Sequence, residues 1–387
     1  MRNSFSVGIF NDQEESFSGG GEQSVKDIYE FLNRMNITVQ LFYPNKLEVC
    51  SINGDHKGKS QTGREESIYE HFGRPQFLYH ALPKPSVLSR SMINLIMVHR
   101  IPPLRYIRIL SSGSTKSILL FHGIGIEDLR LTSLVIILYQ IYLRVQIRRI
   151  VSILRSSNNI HIQVLTEKAK AKMEKIGVPA KLIHVIHNGI NIDLYRVRNN
   201  SSEFRVVFIG RIENTQKGIK RLISVARNVN KLEKNISFDV CGSGPDRKLL
   251  QQCGLRNIIH HGYVDESHKL EILSKGNLFI STSNMEGFPL VILEGLFSGL
   301  PVVSTDCLGP STIVNSDPLF GKIESFSPKS IASSIIEYYK YWKDNAIAYY
   351  SDKEKRSMRS KELFNLDRMG RDYLSMSEQV CLANGSS

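Results

Sequence analysis

Short apolar runs that alternate with helix-like stretches are the feature that most restricts the fold of this 387-residue chain. The first half holds SVGIF (6–10), VQLFY (39–43), NLIMVH (94–99), SILLFHG (117–123) and IQVLT (162–166). The second half holds RVVFIG (205–210), ISFDVCG (236–242), IIHHG (258–262), LFIST (278–282) and PVVST (301–305). Continuous apolar strands separated by helices are typical of parallel sheets covered on both faces. The sequence therefore predicts an α/β fold with two parallel, Rossmann-like sheets.

The polar, turn-rich stretch YRVRNNSSEF (195–204) predicts a domain linker near Arg198 to Ser202. It separates a predicted N-terminal domain (1–198) from a predicted C-terminal domain (203–363). Ligands of such sheets bind outside the carboxyl ends of the strands, so we expect a central cleft shared by the two domains. The segment FNLDRMGRDYLSMSEQV (364–380) has the apolar spacing of an amphipathic helix.

The cysteines and the lengths of the apolar runs indicate the cellular compartment in which the protein is expected. The five cysteines are scattered without a CxxC pair, which predicts a reducing compartment and neither a disulfide framework nor a zinc site. The sequence contains neither an HExxH motif nor a cluster of Cys and His residues, so we predict no structural or catalytic metal site. The run LVIILYQIYL (134–143) is too short to span a bilayer, and no signal peptide opens the chain. A cytoplasmic protein is expected.

Positive charge is concentrated in one quarter of the chain. Between His71 and Thr166 lie twelve Lys or Arg residues and only two acids, so this segment carries +10 of the formal net charge of +13. Such a field attracts an anionic partner: a phospholipid, a phosphate-bearing acceptor or a nucleic acid.

Two carboxylates stand in the otherwise apolar stretch NMEGFPLVILEGLFSGLPVVS (284–304). Pro289 suits the first turn of a helix, which places Glu286 in the preceding loop and Glu294 inside the helix. The unpaired N–H groups around 288–291 would point into the same space. Glutamates on a solvated face are the alternative, but the apolar neighbours leave little such face. Because buried carboxylates need partners, the pattern predicts a site for an anion or for sugar hydroxyls.

Arg211 and Lys217 lie in GRIENTQKG (210–218), where a predicted strand leads into a helix. A guanidinium and an ammonium beside a helix start suit a diphosphate, although surface charge is the alternative interpretation.

Three further segments are weaker signals. CGSGPDRKLL (241–250) has a Gly-x-Gly turn that fits either nucleotide contact or close packing, and it lacks the last glycine of the NAD-type motif. Glycines 19–21 precede a helix predicted to open near Glu22, and they suit either close backbone approach to a ligand or a flexible loop. His122 ends a strand in FHGIG and is either a catalytic or a structural histidine. The Walker-like NGDHKGKS (53–60) has Asn53 where the pattern requires glycine, so a polar loop is predicted.

Together these segments resemble family 4 of the retaining glycosyltransferases, which has the GT-B fold of two Rossmann-like domains facing a central cleft. The resemblance is strongest from Val206 to about Ser311, and its most specific motif is the E-x₇-E pair with an internal GFP. VIHNGINIDLY (185–195) supports it. Gly295 stands where the family usually has alanine, and Leu308 where it often has glycine.

The resemblance implies roles for the matching residues. The implied catalytic residues are His122, Arg211, Lys217 and Glu286. The implied donor-binding residues are Gly20, Gly21, Gly210, Gly242, Tyr263, Val264, Gly287, Phe288, Pro289, Leu290, Val291 and Glu294. The cationic pair would neutralise the donor diphosphate, the first glutamate would hold the sugar and the second the ribose hydroxyls. In this family the last helix (364–387 here) crosses back onto the N-terminal domain.

The expected reaction moves a hexose from a UDP- or GDP-sugar to an acceptor hydroxyl with retention of configuration and without a metal or other cofactor. The stretch 129–156 alternates apolar residues with Arg144, Arg148, Arg149 and Arg155. A helix of this kind could lie on an anionic membrane, which suggests a lipid-linked or membrane-borne glycan acceptor and a peripheral enzyme. A buried helix with arginines on one face is the alternative.

Two other functions fit parts of the sequence. A sugar-nucleotide epimerase with the same fold would act without an acceptor. A basic membrane- or nucleic-acid-binding protein without transferase activity would use the positive segment, but no nucleic-acid motif accompanies it and the two glutamates would stay unexplained. We therefore expect no nucleic-acid partner.

Overall fold

The computed structural model describes residues 6–10, 20–42, 95–99, 104–113, 115–121, 145, 148–157, 159–198 and 202–382. The described residues form two compact units. The first holds those up to Ile186 together with those from Met369 onward, and the second holds those from His187 to Arg368. Each unit is built on its own sheet.

The first unit contains a six-stranded parallel sheet in the order β2-β1-β3-β4-β5-β6. Its strands are β1 (Ser6–Phe10), β2 (Thr38–Phe42), β3 (Leu95–His99), β4 (Lys116–Phe121), β5 (Ile160–Val164) and β6 (Ile183–Val185). Its helices are α1 (Gly20–Arg34), α2 (Leu104–Ser112), α3 (148–156) and α4 (Glu167–Lys175). Buried residues of the middle strands pack against α2 and α3 in one apolar cluster.

The second unit contains a six-stranded parallel sheet in the order β12-β11-β10-β7-β8-β9. Its strands are β7 (Phe204–Ile209), β8 (Ile236–Cys241), β9 (Ile258–Gly262), β10 (Leu278–Ser281), β11 (Val302–Thr305) and β12 (Gly321–Glu324). The first strand of this sheet along the chain, β7, pairs with both β8 and β10, so the strand order reverses between β7 and β10. This is the order of a dinucleotide-type Rossmann sheet.

Nine helices are described in the second half. They are α5 (Asn214–Lys217), α6 (Ile219–Leu232), α7 (Arg247–Gln251), α8 (Glu266–Lys275), α9 (Leu290–Phe297), α10 (Leu308–Val314), α11 (Pro328–Asp344), α12 (Ala346–Phe364) and α13 (Leu366–Leu382). The large apolar core of the second unit lies where alternate residues of β7 and β8 meet α6 and α11. Phe204, Val206 and Phe208 point into this core, and Phe238 is buried beside them.

All ten predicted strands are present, with ends that differ by no more than two residues. The sequence did not predict β6 and β12. Both lie at sheet edges, and both are short: IHV has three residues and GKIE carries two charges in four. The other two edge strands, β2 and β9, were predicted, so the edge position alone does not account for the omission. The shortness of β6 and the charges of β12 leave no continuous apolar run, which is the signal by which the other strands were found.

Two segments that lie close to the points where the chain crosses from one unit to the other are joined by backbone hydrogen bonds. Ile190 forms an isolated parallel bridge with Asn365, in which the Ile190 N–H donates to Phe364 O at 3.1 Å and the Leu366 N–H donates to Ile190 O at 3.1 Å. The contact division at Ile186 precedes the predicted linker, whose residues 199–201 lie outside the described part of the chain.

Helix α12 presents a row of buried polar side chains to the carbonyl groups at the ends of other elements. The Lys353 ammonium donates to Gly276 O at 3.1 Å and to Arg198 O at 3.0 Å. The Arg356 guanidinium donates to Gly299 O at 2.6 Å, and Ser357 Oγ donates to Phe297 O at 2.6 Å. Burial lowers the pKa of Lys353 to about 8. Three of these carbonyls follow or end α8 and α9, where positive groups are electrostatically favoured.

The last helix packs on the first through a glycine. A Cβ atom added to Gly370 of α13 would lie 2.1 Å from Cγ of Phe31 in α1. Phe31 is buried, and the Arg34 guanidinium lies 5.5 Å from the centre of its ring. The close approach of the two helices therefore depends on the missing side chain.

Among the described residues, no helix has both the length and the apolar character needed to cross a bilayer.

We predict that Gly370→Ala destabilises the protein. Glycine-to-alanine changes in a helix usually stabilise it by up to about 1 kcal/mol. Here the added methyl group must displace a stiff buried ring, so the free energy of unfolding should instead fall by about 1–3 kcal/mol. Denaturant unfolding at equilibrium measures this change.

Ser375→Ala is the matched control, because Ser375 is exposed on the same helix and should tolerate alanine. A Gly370→Ala variant as stable as the parent would contradict the packing described for α1 and α13.

Candidate functional site

The candidate site lies in the second unit, at the carboxyl ends of β7 and β10. These two neighbouring strands mark the point where the strand order reverses. The connections that leave them run to opposite faces of the sheet, which opens a crevice where ligands of open α/β sheets bind. The segments 210–218 and 282–289 follow these strands and contain most of the predicted catalytic residues.

The loop after β7 leads directly into the short helix α5, which Glu213 caps. Its carboxylate accepts hydrogen bonds from the backbone N–H groups of Thr215 at 2.7 Å and Gln216 at 2.9 Å. Acidic residues at this position satisfy free N–H groups of the first turn. The cap fixes the path of α5 and so places Lys217 at its last position.

Lys217 and Glu286 form an ion pair that joins the two loops. The Lys217 ammonium lies 2.5 Å from Glu286 Oε1, with side-chain exposures of 16% and 9%. The same oxygen accepts a hydrogen bond of 2.9 Å from the Ser283 hydroxyl. A carboxylate this buried is stabilised by its charged partner and by the hydroxyl donor. The sequence predicted both charged residues in the site but not their direct contact.

Backbone and amide hydrogen bonds hold the two loops in register around this pair. The Asn284 amide donates to Thr215 O at 2.9 Å, and the Asn284 N–H donates to Gln216 O at 2.7 Å. The Thr282 hydroxyl donates to Lys217 O at 2.9 Å. The positions of the ammonium and the carboxylate are therefore set by the backbone, and not only by their mutual attraction.

Arg221 of α6 adds a third connection, which sequence reasoning missed. Its guanidinium donates to Thr282 O at 2.6 Å, to Asn284 Oδ1 at 2.9 Å and to Phe326 O at 3.1 Å. Arg221 lies in the predicted helix IKRLISVARNV, and nothing in that sequence indicates that its side chain contacts the loop after β10.

Glu294 of α9 is buried and half satisfied. Its Oε1 accepts a hydrogen bond of 2.9 Å from the Lys269 ammonium of α8. Its Oε2 is in hydrogen-bond geometry with no residue of the described chain. Burial raises the pKa of Glu294, while Lys269 and then the Tyr195 hydroxyl act in the opposite direction. Sequence reasoning found Glu294 but not Lys269.

The GFP segment between the two glutamates is held by aromatic contacts. The Phe288 ring stacks on the His187 ring with centroids 5.5 Å apart and planes 14° apart, and Phe364 contacts Phe288 edge-on at 5.9 Å. A Cβ atom on Gly309 would lie 2.4 Å from Gly287 O, so α10 also packs closely on this segment. The backbone at Gly287 and Phe288 is thus constrained from two sides.

The start of α9 has its predicted location. Pro289 is the residue that precedes the helix, and Leu290 and Val291 begin it with partly exposed side chains. Arg211 is exposed immediately after β7.

Gly242 meets a packing requirement of its own. It has φ of 136°, and a Cβ atom there would lie 1.9 Å from Gly210 O. The close turn between β8 and α7 accounts for this glycine without a ligand. Tyr263 and Val264 follow β9 at the same edge of the sheet, and Tyr263 is 81% exposed.

The remaining predicted site residues belong to the first part of the chain. Gly20 and Gly21 open α1, two residues earlier than predicted. His122, Arg144 and the loop 53–60 lie outside the described residues. Three predicted arginines are described and are exposed on α3: Arg148, Arg149 and Arg155.

The two departures from the family pattern have different surroundings. A Cβ atom on Gly295 would lie 2.9 Å from the Phe279 ring of β10, so glycine here makes room for a large strand residue. Leu308 begins α10 and is partly buried.

No group of three His, Cys, Asp or Glu residues in the described segments is arranged to hold a metal ion. The expected independence from metals stays a prediction.

Comparison with known families divides the chain in two. The profile of Glycosyl transferases group 1 matches residues 193–354, and that of Glycosyltransferase Family 4 matches residues 18–194. A curated relative, the lipopolysaccharide 1,6-galactosyltransferase of Escherichia coli strain K12, is 27% identical over 158 residues. That alignment covers 38% of this chain and 44% of the relative, so less than half of the relative is matched.

Solved structures resemble the whole chain. A sucrose-phosphate synthase from Thermosynechococcus elongatus has a TM-score of 0.72 and 16% identity, covering 98% of this chain and 100% of its own. HepE from Anabaena, solved in complex with UDP and glucose, has a TM-score of 0.65 and 14% identity, covering 97% of this chain and 99% of its own. At these identities the likeness shows the fold, which is GT-B. The chain belongs to the group 1 glycosyltransferases, with a family 4 segment as its N-terminal half.

Proposed function

We propose that this protein is a retaining glycosyltransferase that moves a hexose from a UDP- or GDP-sugar to an acceptor hydroxyl. The observation that carries the proposal is the Lys217–Glu286 pair at the reversal point of the second sheet. A cation for a diphosphate and an acid for sugar hydroxyls meet there at 2.5 Å. The complexed UDP and glucose of HepE support a nucleotide-sugar donor.

The proposed reaction requires the protein to stabilise the opposite charges that develop as the donor is cleaved. When the bond between the sugar and the nucleotide breaks, negative charge grows on the diphosphate and positive charge on the sugar ring. Lys217 and Arg211 offset the first charge, and the buried Glu286 carboxylate, beside the sugar, offsets the second. One oriented donor of this kind lowers the activation barrier by about 3 kcal/mol.

The remaining roles follow the order of a nucleotide sugar. Glu294 takes the ribose hydroxyls, and the backbone at Tyr263 and Val264 borders the base. The backbone of 287–289 holds the donor sugar, with His122 close to it. Gly20 and Gly21 border the diphosphate and the acceptor. The acceptor attacks from the side of the leaving group, and the leaving phosphate takes its proton.

The acceptor is proposed to be lipid-linked or membrane-borne, and the protein to act at the cytoplasmic face of a membrane. Support comes from the positive segment and from the name of the lipopolysaccharide galactosyltransferase. The apolar residues of α3 limit the manner of contact. Ile150, Val151 and Leu154 are buried in the core of the first unit, so the described helix offers a membrane only its exposed side.

We predict that the wild-type protein slowly hydrolyses one member of a panel of UDP- and GDP-hexoses without an acceptor. Lys217→Ala should lower this rate roughly a hundredfold or more, because the leaving diphosphate loses its nearest cation. Donor binding should stay measurable by calorimetry. Released nucleotide, quantified by chromatography, gives the rate.

Lys220→Ala is the control, since Lys220 is exposed three residues further on and should leave the rate unchanged. A Lys217→Ala variant near the wild-type rate refutes the assignment. A product that is an epimer of the donor points to an epimerase instead.

Glu286→Gln should separate nucleotide binding from turnover. In the absence of donor the Glu286 carboxylate occupies the Lys217 ammonium, so it competes with a diphosphate. Removing its charge should tighten UDP or GDP binding roughly tenfold, as the strength of close charge pairs suggests. Turnover of the sugar donor should fall, because the sugar loses an anionic partner.

Calorimetric titration with UDP and GDP measures the binding change. Glu271→Gln is the control, because Glu271 forms an exposed surface pair with Lys275. Weaker nucleotide binding by Glu286→Gln than by the parent contradicts the competition.

Membrane contact through α3 should be electrostatic. We expect the protein to sediment with phosphatidylserine vesicles at low salt and to be released at high salt, since exposed charges are screened. Charge reversal at Arg148 and Arg149 should weaken sedimentation. The same reversal at the exposed Lys231 and Lys234 of the second unit is the control. Failure to sediment at low salt removes the support for membrane contact.

A further inference from the structure

Lys269 is a charged residue near the candidate site to which the proposed reaction assigns no role. It lies in the first turns of α8, which follows β9 at the carboxyl edge of the second sheet. The loop between β9 and α8 carries Tyr263 and Val264, where the base is proposed to lie. Lys269 thus stands on the element next to the base and reaches Glu294 on α9, where the ribose is proposed to lie.

The ammonium of Lys269 is held between two carboxylates. It lies 2.9 Å from Glu294 Oε1 and 2.8 Å from Glu266 Oε2. Lys269 is 16% exposed and Glu294 is 11% exposed, whereas Glu266 is 55% exposed. The contact with Glu294 is therefore the desolvated one, and the contact with Glu266 is open to water. Desolvated charge pairs constrain geometry far more than exposed pairs do.

The two oxygens of Glu294 differ in what they can still accept. Oε1 accepts a hydrogen bond from the Lys269 ammonium. Oε2 is buried, and no described residue is in hydrogen-bond geometry with it. The Tyr195 hydroxyl also favours the charged form of this carboxylate, but no described donor is in hydrogen-bond geometry with Oε2. A buried carboxylate oxygen without a donor in good geometry costs free energy in the ligand-free protein. A hydroxyl group of a bound ligand would satisfy it and recover that cost.

Charge decides whether this acceptor exists at physiological pH. Burial alone favours the protonated, neutral form of Glu294, and Lys269 is the largest opposing influence. For Lys269 itself, burial favours the neutral amine, but the negative charges of Glu294 and Glu266 outweigh burial and raise its pKa. The charged forms of the two residues therefore support each other.

We propose that Lys269 is a positioning residue, which fixes Glu294 by one oxygen so that the other accepts hydrogen bonds from the ribose hydroxyls of the donor nucleotide. The inference rests on the proposed function, since it needs a ribonucleoside diphosphate in the site. It assigns discrimination of ribose from deoxyribose to a pair on two helices, and not to Glu294 alone.

The test compares each nucleotide with its analogue that lacks the ribose hydroxyls. Calorimetry gives the dissociation constants of UDP, GDP and their 2′,3′-dideoxy forms for the wild-type protein. A hydrogen bond to a charged group implies that the ribonucleotide binds roughly tenfold or more tightly. Lys269→Met should bring this ratio close to one, because the released Glu294 is neutral or turned away. Dideoxynucleotide binding should change little.

Two further variants separate positioning from general damage. Lys269→Arg should restore most of the ratio, since arginine keeps a charged donor. Lys275→Met should leave it unchanged, because Lys275 lies on the same helix in an exposed pair with Glu271. In a Glu294→Gln background, Lys269→Met should have no further effect on the ratio, a measurement that does not need the single Lys269→Met variant to fold.

Two results overturn the inference. In the first, the ratio of the dideoxynucleotide to the ribonucleotide dissociation constant stays at its wild-type value in Lys269→Met. In the second, Lys269→Met lowers this ratio by the same factor in the Glu294→Gln background as in the wild-type background. If wild-type protein binds and hydrolyses a nucleotide sugar while either result is found, the inference fails and the proposed function stands. If wild-type protein binds none of the nucleotides, the proposed function fails and the inference with it.

Discussion

The ion pair between Lys217 and Glu286 is the interaction around which the candidate site is organised. A carboxylate buried at the end of a parallel strand is unfavourable unless donors surround it. The chain meets this requirement with an ammonium from the neighbouring strand's loop and a hydroxyl from its own, Ser283. Asn284 and Thr282 then fix the backbones that carry both charges. Because these donors come from two crossover connections, the pair forms only where β7 and β10 are neighbours, and the strand order is thus a condition of the chemistry.

Much of this arrangement was predictable because burial leaves a strong signal in the sequence. Strands covered on both faces consist of apolar runs, and this signal identified the central strands of both sheets. Two edge strands, β2 and β9, were also predicted, whereas the short edge strands β6 and β12 were not. Glu286 and Glu294 could be singled out because they are the charged residues of an otherwise apolar segment. The turn at Gly242 was ambiguous, and the structure shows why: the approach of Gly210 O requires a glycine there whether or not a ligand binds.

Residues that act through long-range partners were not predictable. Lys269 in ESHKLEILSK looks like Lys275 in the same helix, yet one meets a buried carboxylate and the other an exposed one. Arg221 is likewise an ordinary helical arginine until the fold brings the loop after β10 beside it. The same limit applies to Gly295 and Phe279, which the sequence separates by a loop and the fold places in contact. The family pattern could mark Gly295 as unusual, but only the neighbouring ring explains it.

The buried polar row on α12 determines how far this half of the chain can be shortened. Lys353, Arg356 and Ser357 supply hydrogen bonds to carbonyl groups at the C-terminal ends of α8 and α9, the two helices that carry Lys269 and Glu294. A fragment that stops after α11 would keep every strand of the second sheet and every proposed donor-binding residue of that unit. It would nevertheless leave those carbonyls without donors, and the helices that aim the charged groups would lose their outer anchor. A stable fragment of the second unit is therefore expected to extend through α12, well beyond the last residue with a proposed contact to the donor.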